Sequence, residues 1–182
     1  MKPPINERAI ALPSLRIKEK TLVFLALSVL TVFLPTIIHS QLITGPLVNM
    51  SLILAVLLVG PFEAVFLGLM PSVFALASGL LPLALAPAVP FIMISNAIFI
   101  GVYHYLGRKN FLLSTLAASL LKFLFLYGIV HLLLNTLLAQ KIVENLSAMM
   151  GVFQFLTAIM GAVLAHAVLS FIKYKNNSKI RL

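Results

Sequence analysis

The apolar positions of this chain fall in six long blocks separated by short polar or proline-bearing breaks. The first runs from about Thr21 to Ile38, carries Pro35 near its end and stops at His39-Ser40-Gln41. A short loop leads through Gly45-Pro46 into a second run ending at Gly60-Pro61; at about 15 residues it is shorter than the ~20 a perpendicular span needs, so it is read as tilted, locally thinned or partly re-entrant. Pro61 stands where an N1 proline opens a helix, and Glu63 falls in the first turn, where an acid suits the positive end of the dipole. This third block reaches Gly79, with Pro71 inside it as an expected kink. Leu80 to Pro90 carries Pro82, Pro87 and Pro90 and is read as an irregular segment that packs on protein or caps a cavity. The fourth block is Ala88 to Leu106, the fifth Leu112 to Leu138, and Gln140 to Asn145 is read as the turn into the sixth, Ala148 to Ile172.

The fifth block is interrupted by Lys122. In a helix starting at Asn110, a rise of ~1.5 Å per residue carries that lysine roughly 18 Å inward, into hydrocarbon. A lysine there costs about 2.5 to 3.5 kcal/mol on insertion scales, so it faces protein, water or a ligand.

Composition places the whole chain in the membrane. Of its 182 residues only 9% are charged and 62% are hydrophobic, against a charged fraction of about a quarter in soluble domains. Cysteine and aspartate are absent and the acids are Glu7, Glu19, Glu63 and Glu144, which removes thiolate chemistry and the carboxylate clusters of magnesium-dependent group transfer. No metal site or cofactor is expected. The net charge of +9 comes from the ends: eleven of the 13 Lys and Arg lie in residues 1–20, at Arg108-Lys109 or in residues 173–182, on one proposed side. They read as topology signals and contacts for anionic lipid, not as a nucleic-acid surface. The prediction is an all-α membrane protein, a six-helix bundle with both termini cytoplasmic, in a prokaryotic plasma membrane: a basic arm over 1–19, the bundle over 20–172 and a basic tail over 173–182.

Given that topology, the buried polar groups converge on the outer half. Asn49 lies one turn into the second span, Asn96 two turns into the fourth, and Gln154 and Thr157 two turns into the sixth. Lys122 reaches the same level from inside, with Tyr127, His131 and Asn135 further out. Asn49, Asn96, Lys122, Tyr127, Gln154 and Thr157 are therefore the candidate substrate-binding residues, and Phe123, Phe125, Tyr127, Phe153 and Phe155 are candidate walls. The competing reading is that the amides only bond neighbouring helices and the aromatics meet core or lipid. Since no acid lies in any span at the depth of Lys122, a ligand bringing negative charge or an acceptor suits it. Ala158, Gly161, Ala162 and Ala165 are spaced for close helix packing. There is no GxxxxGK[ST], HExxH or GxSxG, so this chain does not itself hydrolyse ATP through a phosphate loop, and general acid–base pairs for an enzyme are absent.

With Gly45-Pro46-Leu47-Val48-Asn49, Val59-Gly60-Pro61-Phe62-Glu63-Ala64, Leu81 to Pro90 leading into Asn96, Lys122-Phe123 and Gln154-Phe155-Leu156-Thr157-Ala158, the chain resembles the substrate-binding S components of energy-coupling factor (ECF) transporters. The resemblance covers nearly everything after the arm. It implies a non-enzymatic subunit that captures a vitamin or related small molecule from outside and associates with a transmembrane T component and two ATPase subunits. The alanine-x-x-x-alanine docking face of many members is not met, because Ala26 is followed four residues on by Leu30. The alternatives are a structural or assembly membrane protein and a small channel without a dedicated ligand.

Overall fold

The computed structural model describes residues 15–38, 40–79, 81–107, 109–134, 136 and 139–179, all-helical and without strands among them. The first fourteen residues of the arm, His39, Leu80, Arg108, Asn135 and Arg181 lie outside the described residues. Among the described residues seven α-helices follow in order: α1 Ile17–Ile37, α2 Gln41–Leu54, α3 Pro61–Ala77, α4 Val89–Leu106, α5 Phe111–Gly128, α6 Gln140–Met150 and α7 Val152–Lys179. Five segments, containing α1, α2, α4, α5 and α7, are long and apolar enough to cross a membrane, whereas α3 is shorter at 17 residues.

α2 is the hub. From Leu52 to Val59 every residue is apolar, and Ser51 to Val59 are all buried, as in a segment surrounded by protein. The helix begins at Gln41, not after Gly45-Pro46, and continues through a π turn, Ala55–Val59, closed by the Gly60 amide on the Ala55 carbonyl at 2.9 Å. The expectation of a short or re-entrant second span is therefore corrected: the segment has 19 residues. Pro46 does not end it because a proline in the second turn removes a single hydrogen bond. By contrast α1 sits at the edge, with Leu22, Leu25, Val29 and Phe33 exposed along its length.

Hydrocarbon is as apolar as leucine, so helices in lipid are held by close packing and hydrogen bonds. The α2–α7 contact shows how the small residues serve this. Ala158, Ala162 and Ala165 are buried, and a Cβ on Gly161 would stand 2.7 Å from the Pro46 carbonyl and 2.9 Å from the Met50 nitrogen. The two backbones touch.

α3 opens with Pro61 at N1 and Glu63 in its first turn, as the sequence predicts, and ends at Ala77. Gly79, at φ 75°, turns the chain in the left-handed region that favours glycine. Within the proline-rich stretch, Leu83–Ala88 forms a short 3-10 helix. Leu81, Leu85, Ala88 and Val89 bury against Leu126, Val130, Val143, Leu146 and Met150, so this stretch does pack on protein. The last turns of α5 widen into a π-helical segment, Ile129–Leu134.

Gln140 to Asn145 is not a turn. It belongs to the amphipathic helix α6, whose Val143, Leu146 and Met150 are buried while Lys141, Glu144 and Asn145 face out. The i, i+3, i+7 spacing of the apolar residues sets that face. Gly151 separates α6 from α7: a Cβ there would meet the Ser147 carbonyl at 2.5 Å, so a side chain is excluded at the bend. The helix of the sixth apolar block therefore starts at Val152, and α7 runs unbroken through the expected tail to Lys179.

Candidate functional site

The ends of α1 and α3 and the starts of α2, α4 and α7 meet around one chamber of about 270 Å3. α1 gives Pro35 and the following Ile38, α2 gives Gln41 to Asn49, α3 gives Pro71, Ser72 and Ala75, and α4 gives Ile92 and Asn96. Leu81, Met149 of α6 and Gln154 of α7 complete it, with Lys122 reaching it from mid-α5. Among the described basic residues, Arg16, Lys18, Lys20, Lys109 and Lys173 fall at the opposite helix ends, while Lys141 stands in the first turn of α6.

Lys122 arrives there because Asn110 caps α5, accepting the Leu113 amide at 3.0 Å, and fixes where the helix starts. The lysine is 3% exposed and its Nζ donates to Asn49 Oδ1 and Asn96 Oδ1, both at 2.8 Å. The ring of Phe99, one turn beyond Asn96, lies 5.3 Å from the amine, within range of a cation–π contact.

Each amide is held from behind. Asn49 Nδ2 donates to the Gly45 carbonyl at 2.9 Å and Asn96 Nδ2 to the Gly68 carbonyl at 2.8 Å. A carbonyl can only receive, so the NH2 group must face it and the oxygen must face the amine. Gly161 lets α7 approach Asn49, and Gly68 brings α3 against Asn96, where a Cβ would stand 3.2 Å from the Asn96 Cβ. Two helices therefore set the aim of two asparagines, and these set the lysine.

No carboxylate joins this network among the described residues: Glu19, Glu63 and Glu144 are all exposed. Two N–H groups of the ammonium are engaged, and the third has no acceptor among the described residues. An ammonium partnered only by neutral groups in a low-dielectric chamber favours a bound anion or a strong acceptor.

Of the six sequence-derived candidates, Asn49, Asn96, Lys122 and Gln154 come together here. Tyr127 does not. It lines a separate cavity of about 180 Å3 with Phe123, Val130, His131, Ser147 and Met150, and its ring meets His131 at 4.1 Å. Thr157 is fully buried; its hydroxyl donates to the Gln154 carbonyl at 3.2 Å, and a Cβ on Gly45 would stand 2.9 Å from its methyl. It is a packing residue of the α2–α7 contact. None of the expected aromatic walls lines the larger chamber.

Sequence reading missed Gln41, Thr44, Ser72, Met149 and Phe99. Gln41 Nε2 donates to the Met149 carbonyl at 2.8 Å, tying the start of α2 to the end of α6. Phe99 was legible as the residue one turn from Asn96 on the same face. The described residues include no group of three or more His, Cys, Asp or Glu placed to hold a metal ion.

No family model, no curated protein and no solved structure matches this chain.

Proposed function

We propose that this chain is a non-catalytic, membrane-embedded solute-binding protein that captures a small molecule in the Lys122 chamber, in the manner of the S component of an ECF importer. One observation carries the reading: a buried lysine at the wall of a 270 Å3 chamber, aimed by two neutral amides and without a carboxylate beside it among the described residues. A lysine serving only as glue between helices would be better paired with an acid, which removes the net buried charge.

In this reading the basic helix ends face the cytoplasm, so the chamber lies in the outer half of a prokaryotic plasma membrane and six helices cross. The chain has no phosphate-binding loop, so transport draws its energy from a T component and two ATPase subunits.

The test is mass spectrometry of small molecules released from gently purified, folded protein, wild type against Lys122→Met. A stoichiometric compound present in the wild type and lost in a folded Lys122→Met supports capture. An empty wild type, with Lys122→Met as stable or more so, favours the alternative of a structural bundle whose polar groups only lock the helices.

A further inference from the structure

Resting on the solute-binding reading, we infer that the molecule this chamber takes is a small aliphatic monocarboxylate, one carboxylate oxygen on Lys122 Nζ and its carbon body against the proline and aliphatic wall. The polar atoms on the wall decide this. The Asn49 and Asn96 oxygens are given to the lysine and their NH2 groups to Gly45 and Gly68. These asparagines are positioning residues. Each asparagine NH2 has given one of its two N–H groups to a carbonyl, and the charged donor left for a ligand at this inner end is the third N–H of the amine.

One charged N–H satisfies one strongly accepting oxygen. A phosphate would bring further charged oxygens into a wall that, among the described residues, offers no arginine and so no guanidinium fork, only neutral donors beside the one amine. A cationic solute would meet the ammonium and, among the described residues, no acid. Among neutral solutes an amide could accept from the lysine, but with a weaker hydrogen bond.

The rest of the wall sets the body. Pro35, Ile38, Val48, Pro71, Ile92 and Met149 are apolar and unconjugated. No aromatic ring lines the chamber among the described residues, so a planar heteroaromatic solute finds no stacking surface on them. A chamber of about 270 Å3 suits a small solute. The Gln154 amide and Ser72 hydroxyl, engaged by no side-chain hydrogen bond among the described residues, leave room for one hydroxyl or carbonyl on that body.

The experiment titrates full-length protein in nanodiscs with linear and branched C4 to C6 monocarboxylates, their primary amides, alkyl phosphates and alkylamines, with palmitate as the lipid-borne source of the same group. The expected result is a C4 to C6 acid binding at least about tenfold more tightly than its amide, a preference lost in folded Lys122→Met. Equal or tighter binding of an amide, phosphate or amine overturns the carboxylate assignment while leaving a solute site intact, provided that binding also needs Lys122. Palmitate as the sole acid bound overturns the compact-solute assignment. If no probe of any class binds at millimolar concentration and no compound is released from the purified protein, both this assignment and the solute-binding reading fail.

Discussion

Gly161 of α7 lies so close to Asn49 of α2 that a Cβ added to the glycine would stand 2.7 Å from the Asn49 Cβ. The nearest atoms also include backbone of α2, which cannot move aside as a flexible side chain can. Gly161→Ala is therefore expected to destabilise the protein by about 1–3 kcal/mol, the range for overpacking, and to weaken solute capture by shifting Asn49. Gly101, mid-helix in α4, has nothing within 4 Å of its would-be Cβ. Gly101→Ala is expected to be neutral or to stabilise by up to about 1 kcal/mol through helix propensity. Thermal unfolding in detergent separates the two.

Asn96 supports two roles that substitution can part. Asn96→Leu takes the amide donor from the Gly68 carbonyl, which keeps its helical partner, and leaves the amine with one acceptor, an expected loss of about 1–3 kcal/mol from the less satisfied amine. Asn96→Asp keeps an acceptor for the amine and supplies the counterion that the chamber otherwise lacks. That protein is expected to stay folded yet bind its solute at least about tenfold more weakly, because the internal carboxylate occupies the ligand's place. Undiminished binding in a folded Asn96→Asp would show that the lysine charge is not what the ligand uses.

Gln41 ties α2 to the end of α6 through the Met149 carbonyl. Gln41→Ala removes that tie, with an expected loss of about 0.5–1.5 kcal/mol. The effect should concentrate in α6, raising amide hydrogen exchange over residues 146–151 and speeding solute release, with little change in the core of α2. Exchange measured by mass spectrometry checks the location as well as the size.

The other half of α5 offers controls that do not line the chamber. Thr115 Oγ1 donates to the Phe111 carbonyl at 2.8 Å, so Tyr103 is the donor in its 2.7 Å contact with Thr115. Tyr103→Phe is expected to lose about 0.5–1.5 kcal/mol without altering capture. Ser119 Oγ is buried with no partner among the described residues, so Ser119→Ala is expected to be neutral or stabilising. Urea or thermal midpoints, with binding measured alongside, test both.

Lys122 could be singled out from sequence because its depth follows from helix rise and a capped start, and Asn49 and Asn96 because each lies inside an apolar run. Pro61, Glu63 and the small residues of α7 were legible for the same reason: their effects are local. What could not be read was which helix faces which. Thr157 lies three residues from Gln154, yet the contact with Gly45 turns it into packing rather than chamber wall. Tyr127 lies five residues beyond Lys122, and the helical rotation carries it to a different cavity. Gly45-Pro46 looked like a helix start because both residues favour loops, so Gln41 and Thr44 were left outside α2. The polar residues of 140–145 resembled a turn until the spacing of Val143, Leu146 and Met150 was met by a matching surface on the 3-10 segment.

The most direct measurement is an experimental structure of the protein purified in nanodiscs, resolved well enough to see what touches Lys122 Nζ. The expected result is non-protein density within about 3 Å of the amine, on the side away from Asn49 and Asn96, filling the chamber as one compact molecule. A chamber closed by side chains, or holding water alone in protein whose released-compound analysis is also empty, would contradict capture and leave Lys122 as a lock between α2, α4 and α5.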